Sequence, residues 1–487
     1  MDKTASEVIA RLDRLSVWSL PSLFIGILGT GFLFTFFDIF DVNVSFVQTA
    51  ITTFGANSPS SPLIPQLLGP VVLWNLVGYV IGALGLTPFA DKYGRKRMLM
   101  LTMAITGLGS LYNALSPDYL NYLVARTITG IGVGADLAIV NTYINEVSPI
   151  NGRAKFTSLV FLFATLGAFL GLWVGLLLTT PPAPFPLGLP FALGGSGIFE
   201  HDGWRIMYGI GSLLALIGLL LRYELPESPR WLVSKGRIED ALRIVERMEE
   251  IARGKVGELP PVPQYIEVKT NTEVSFKEAM KTVIGNKVYL KRWLILLGLW
   301  FFGYITVYTN AAGLTTILSA LGYPVPEAGM IASLGVLGFI AVPVFLIFFG
   351  DKLERKTWVP ISAVLSLVGV LVMASSNNFP LEVLGAILLF FGIDLWVPVS
   401  YTWTTENFPT RARVTAFGLA DGLGHVGGGI GAFGVSLEIG NIILHNPGGH
   451  VSLEVLTLMV SFQLISALIS IAGIKTANRR LDEISPH

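Results

Sequence analysis

The chain reads DKYGRK at 91–96 and DKLERK at 351–356, and this pair of stretches decides how the rest is read. Asp91, Lys92, Arg95 and Lys96 return 260 positions later as Asp351, Lys352, Arg355 and Lys356. A second motif keeps the same offset: Glu146, Pro149 and Arg153 of EVSPINGR return as Glu406, Pro409 and Arg413 of ENFPTRAR. Two charged motifs in one register over half a chain indicate two copies of one unit. Each motif stands at the end of a long apolar run.

Working outward, runs of roughly 20 apolar residues are each long enough to cross a bilayer as a helix. Twelve are expected, at 17–46, 66–90, 97–115, 119–146, 154–180, 204–223, 288–319, 327–350, 357–376, 381–406, 412–440 and 452–475. Composition agrees: 52% of the 487 residues are hydrophobic and 14% charged, too little polar surface for a dispersed soluble domain. The fold class expected is an all-α membrane protein of twelve spanning helices in two pseudo-symmetric six-helix halves. The halves cover 1–225 and 287–487, and a polar linker of short helices at 226–286 joins them. The segment 180–203, rich in Pro and Gly, reads as a loop.

Charge sets the expected orientation. Loops after even-numbered spans carry Lys92, Arg95, Lys96 and Arg97, then Arg153 and Lys155, then Lys352, Arg355 and Lys356, then Arg411 and Arg413. Loops after odd-numbered spans hold almost none, so the positive-inside rule puts both termini in the cytoplasm of a multi-pass cell-membrane protein. Acidic residues near the start and the long first apolar run argue against a cleaved signal. A net charge of zero argues against a nucleic-acid partner, and the absence of cysteine excludes disulfides and thiolate sites.

Ionisable residues inside spans are costly and are functional candidates by default. Asp38 and Asp41, three apart in FFDIFDVN, share one helix face. Two carboxylates one turn apart in low dielectric repel, which suits one of them to carry a proton. Arg126 lies in the fourth span and needs a carboxylate; Asp38, Asp41 and Asp136 are its candidates. In the second half, Asp421 and His425 sit four apart on the eleventh span, Trp300, Tyr304 and Tyr308 form a stripe on the seventh, and Asp394 lies in the tenth. These six are the candidate substrate-binding residues. In the repeated loops, Asp91, Arg95, Glu146, Arg153, Asp351, Arg355, Glu406 and Arg413 are candidates for a gate, made in one conformational state and broken in another.

DKYGRKR resembles the signature loop of the major facilitator superfamily. Together with RTITGIGVG from Arg126, EVSPINGR, PESPRWL at 226–232 and ENFPTRAR, it resembles the sugar-porter branch and its phosphate- and organic-ion-carrying relatives. The resemblance implies a secondary transporter working by alternating access around a central site. It also implies that a first-span Asp pairs with the fourth-span Arg and that protonation releases it. Phe161 stands where hexose carriers have a fifth-span Gln.

The expected activity is proton-coupled symport of a small polar metabolite, with a sugar-like solute first and phosphate or an organic anion as the alternative. A membrane sensor descended from a transporter is the reading from a different class. No HExxH, GxSxG or GxxxxGK[ST] occurs, so an enzyme is not expected. No cofactor or metal is expected. The expected partners are the solute, protons and the lipid bilayer, and the expected state is a monomer.

Overall fold

The computed structural model describes residues 3–149, 153–262, 276–350, 352–375, 378–408, 410–445 and 452–477. A short amphipathic helix α1 (Lys3–Asp13) precedes the first half, which is built from α2 (Leu23–Thr53), α3 (Leu63–Ile81), α4 (Thr87–Tyr93), α5 (Arg95–Leu115), α6 (Tyr119–Val147), α7 (Arg153–Thr179) and α8 (Phe199–Arg222). The linker contributes α9 (Pro229–Ser234), α10 (Ile238–Val256) and α11 (Phe276–Gly285). The second half holds α12 (Lys287–Ala320), α13 (Val325–Phe349), α14 (Arg355–Ala374), α15 (Phe379–Glu406), α16 (Thr410–His445) and α17 (Ser452–Ile471). Twelve of these are long and apolar enough to cross a membrane, the second spanning Leu63–Leu86, α3 with the wider π-type turn at Gly82–Leu86 that follows it. Several helices begin where a short polar side chain satisfies a free backbone N–H. Asp118 accepts from Asn121, Asn286 from Val288, Asn378 from Leu381 and Ser228 from Trp231.

The 260-residue register extends from the charged loops into the packing. A Cβ on Gly78 would lie 2.1 Å from the Thr127 carbonyl oxygen; a Cβ on Gly338 would lie 2.0 Å from that of Ile387. Gly132 meets Thr102 and Thr106, and Gly392 meets Ser362 and Ser366, each residue displaced by the same offset. Only glycine lets these backbones approach so closely, the usual way spanning helices pack where lipid supplies no hydrophobic drive. Both halves therefore use one helix-packing scheme.

The halves meet through α3 against α16, α2 against α12 and α7 against α13. Call the side holding α1 and the linker the terminal face and the opposite side the loop face. From the middle of the bundle to the loop face the halves are joined. The Asn43 amide donates to the carbonyls of Asn310 (3.0 Å) and Ala311 (2.8 Å), and its Oδ1 accepts from the Thr315 N–H (2.9 Å). Ala311 carbonyl and Thr315 N–H are the two groups an unbroken helix pairs with each other, so a side chain of one half is inserted into a backbone turn of the other. Trp173 Nε1 donates to the Ser333 carbonyl (3.1 Å), and Gly440 abuts Gln66.

The linker is more than a solvated tether. Ala241, Val245, Met248 and Ala252 of α10 are buried in a cluster with Ala5, Val8 and Leu12 of α1 and with α6 and α7 of the first half. Within it Glu249, 2% exposed, accepts from Arg11 (2.8 Å) and Arg14 (2.6 Å). Burial would push the Glu249 carboxyl up, but the two guanidinium groups outweigh it and hold it below the ordinary glutamate range.

Candidate functional site

On α2, Asp38 and Asp41 face α6. Arg126 Nη1 donates to Asp38 Oδ1 (2.9 Å), its Nη2 donates to the Asp38 backbone carbonyl (3.0 Å), and Asp41 Oδ1 stands 3.7 Å from Nη1. All three residues are buried. Asp38 Oδ2 and both Asp41 carboxylate oxygens have no side-chain hydrogen bond. One guanidinium thus serves two carboxylates and satisfies only part of one, which leaves acceptor capacity at Asp41. Asn75 of α3 fixes the Arg126 carbonyl (3.0 Å), and the hydroxyls of Tyr122 and Tyr208 meet beside the cluster at 2.5 Å. At the positions equivalent to Arg126 and Asp136, the second half carries Ala386 and Trp396.

Asp136 is not at this cluster. It pairs with Arg222 of α8, whose Nη1 contacts Asp136 Oδ1 and whose Nη2 donates to Oδ2 (2.9 Å). Thr102 Oγ1 donates to Asp136 Oδ1 (2.7 Å), and Arg222 Nη1 also reaches the Leu99 carbonyl (2.7 Å). Gly31 leaves room for the pair, since a Cβ there would lie 2.0 Å from Arg222. Asp136 therefore drops out as a partner of Arg126: a second buried arginine, ending an apolar run where it reads as a boundary residue, has claimed it.

Between the halves lies a cavity of about 60 Å3. Of the six substrate-binding candidates, Tyr304, Tyr308 and His425 line it. Asp421 lies behind them, accepting from Tyr304 Oη (2.6 Å) and presenting its backbone carbonyl to His425 Nδ1 (2.8 Å). A carbonyl only accepts, so Nδ1 carries the hydrogen and Nε2 is the free nitrogen. His425 is stacked on Tyr79 of the first half, centroids 3.9 Å apart, and lies 4.0 Å from Tyr304, so it is held at the junction of the halves. Trp300 is fully buried, bonded through Nε1 to Thr404 (2.9 Å) and packed against Trp396 and behind the wall residues Tyr304 and Tyr401, and does not itself line the cavity. Asp394 is buried on the α15 face that carries Phe390, Val397 and Tyr401 but is not among the lining residues. Much of the remaining wall is phenylalanine, and of Phe32, Phe36, Phe40, Phe161, Phe339 and Phe390 only Phe161 was singled out from sequence, by resemblance, because phenylalanine in an apolar helix carries no signal of its own.

At the terminal face the repeated loops make the same contacts twice. Arg95 Nη2 donates to Glu146 (2.9 Å) and Nη1 to the Ala90 carbonyl (3.0 Å); Arg355 repeats this with Glu406 (3.4 Å) and the Gly350 carbonyl (2.8 Å). Each pair joins two helices of one half. Glu227 of PESPRWL accepts from the Arg95 N–H (2.9 Å), starting α5; burial pushes its carboxyl up, against the pull of these backbone donors. The side chains of Asp91, Arg153 and Arg413, and the whole of Asp351, lie outside the described residues.

Over residues 23–485 the sequence matches the family model described as "Sugar (and other) transporter". It is 25% identical to the niacin transporter NiaP of Acinetobacter baylyi over 98% of this chain and 99% of that one. It is 28% identical to a D-xylose transporter of Levilactobacillus brevis over 71% and 72%. The crystal structure of a D-xylose-proton symporter superposes with a TM-score of 0.68 at 19% identity, covering 93% of this chain and 98% of that one. Twelve spans, the duplicated loop contacts and the match over residues 23–485 agree, and the chain belongs to the sugar (and other) transporter family of the major facilitator superfamily.

Proposed function

We propose that the chain is a proton-coupled symporter of a small polar, sugar-like metabolite, working by alternating access about the cavity between its halves. Relatives named for D-xylose, and an arabinose-proton symporter of Bacillus subtilis 26% identical over 74% of this chain, favour a sugar-like solute. The observation that carries the proton step is the shared guanidinium of Arg126. Asp38 holds it by hydrogen bond at 2.9 Å, while Asp41 stands at 3.7 Å with both oxygens free of side-chain donors. A proton arriving on either carboxylate removes one claim on the arginine and shifts it toward the other. Because both acids lie on α2, which also contributes to the cavity wall and to the α12 contact through Asn43, that shift is coupled to the packing of the halves. Tyr304, Tyr308 and His425 contact the solute; Asp421 positions Tyr304 and His425. Asp394 is a reserve acceptor on the same wall when the cavity widens. The paired ions of Arg95, Glu146, Arg355 and Glu406, with Asp91, Arg153, Asp351 and Arg413, form the terminal-face gate. The protein acts as a monomer in the cell membrane with both termini cytoplasmic, and it is not an enzyme.

Uptake of labelled pentoses and hexoses into proteoliposomes tests this. An inward proton gradient is expected to drive accumulation that a protonophore collapses. Asn at the proton-carrying position, Asp38 or Asp41, is expected to abolish accumulation while leaving solute exchange intact. If both single Asn variants still concentrate solute, the proton assignment is wrong.

A further inference from the structure

The cavity wall divides by chemistry. Six phenylalanines, Phe32, Phe36 and Phe40 of α2, Phe161 of α7, Phe339 of α13 and Phe390 of α15, form one continuous part of it. Their rings touch in series: Phe32–Phe161 at 5.4 Å, Phe161–Phe36 at 6.3 Å, Phe36–Phe339 at 6.0 Å, Phe339–Phe40 at 5.5 Å and Phe40–Phe390 at 6.1 Å between centroids. All lie in the range where aromatic rings attract through their faces and edges. The series crosses between the halves at Phe36–Phe339, and Phe161 meets Tyr401 across the same junction at 6.3 Å. The polar remainder is small. Tyr304 is already committed to Asp421, His425 keeps one free nitrogen, and Tyr308, Tyr401 and Asn141 complete it. Among the described residues no Lys, Arg, Asp or Glu lines the cavity.

A ring bearing hydroxyls around its whole edge would leave most of them facing phenyl groups, with the cost of buried unpaired polar atoms. We infer that the carried solute has a flat, unsaturated ring that inserts into this phenyl series, with one uncharged polar edge turned to the tyrosines and His425. The inference rests on the transport reading and departs from a bare sugar as its substrate. The ring is either the aglycone of a sugar derivative or a free-standing aromatic compound, and both present the same flat face. Phe36 and Phe339 meet across the halves at 6.0 Å, so a ring inserted between them would replace a contact that the halves make with each other.

Calorimetric titration of the full-length protein, in detergent and without any ion gradient, decides it with two matched pairs. Benzamide is compared with cyclohexanecarboxamide, which has the same amide edge on a puckered saturated ring, and phenyl β-D-xyloside with D-xylose. In at least one pair the flat-ring compound is expected to bind roughly threefold to tenfold tighter, the value of one or two aromatic contacts. A preference confined to benzamide identifies a free-standing ring, and one confined to the xyloside an aglycone. Phe161→Leu and Phe339→Leu, which keep bulk and remove the ring, are expected to erase the preference. The inference is overturned if neither flat-ring compound binds, if both pairs bind equally, or if the preference survives in both variants. The wild-type comparison stands even where a variant fails to fold. Because binding needs no gradient, uptake that proves independent of protons would refute the symport reading without touching this result.

Discussion

Asp136 and Asp38 are both buried aspartates bonded to an arginine, yet their surroundings assign them opposite work. Asp136 is saturated: Arg222 approaches both its oxygens, Thr102 adds a hydroxyl, and the pair fills the space that Gly31 leaves. Removing one member of such a pair strands the other charge, a loss of about 3–5 kcal/mol. Asp136→Ala is therefore expected to lower the Tm and the folded yield steeply, whereas Asp38→Asn, at a cluster already short of donors, is expected to leave Tm nearly unchanged and damage only coupling. Thermal unfolding of the two purified variants checks this; equal losses would show that the Arg126 cluster is as structural as the Arg222 pair. The same contrast explains what was legible. Asp38, Asp41 and Arg126 stand out because a charge inside an apolar run needs an explanation. Arg222 ends its run, where arginines commonly mark a boundary, so its partner could not be assigned by spacing. Five of the six phenylalanines, all but Phe161, were invisible for the reverse reason: apolar residues are expected in a spanning helix, and only the fold tells which of them face a cavity.

The spanning helices were readable as elements because length and apolarity are set by the bilayer, and all twelve expected spans are present with shifted ends. The role of α1 was not readable, since eleven residues with an amphipathic pattern do not name the surface they cover. Its docking converges on Glu249, which accepts from Arg11 and Arg14, while Lys255 reaches the Trp18 carbonyl and Arg230 pairs with Asp13. With its carboxyl held below the ordinary glutamate range, Glu249 binds its proton less readily docked than free. The contact is thus fully present above the ordinary value, about 4.3, and is lost as pH falls through the lower docked value. Hydrogen exchange in α1 is expected to rise on acidification through that window. Glu249→Gln is expected to raise it at neutral pH as well. Protection of α1 that is flat across this range and unchanged in the variant would place its hold in the apolar cluster alone.

At the scale of the molecule, the duplicated register predicts which parts move together. Gly78 and Gly338, and Gly132 and Gly392, seat helices within each half through backbone contacts that tolerate no sliding. The halves are thereby stiff units, and the bonds that join them lie from the middle toward the loop face. Rigid rocking between such units must open the loop face for solute to change sides. A clean test exists because the chain contains no cysteine. A Cβ at Gly440 would lie 2.6 Å from Gln66 Cγ, which brings the two Cβ positions within the span of a disulfide. The double variant Gln66→Cys/Gly440→Cys is expected to cross-link under mild oxidation, to stop uptake when cross-linked, and to recover on reduction. The Arg126 cluster lies within the first half, so proton binding there is expected to survive the cross-link and only its conversion into movement to fail. Undiminished uptake by the fully cross-linked protein would mean that the loop face need not open, and alternating access by rocking of the halves would be untenable for this chain.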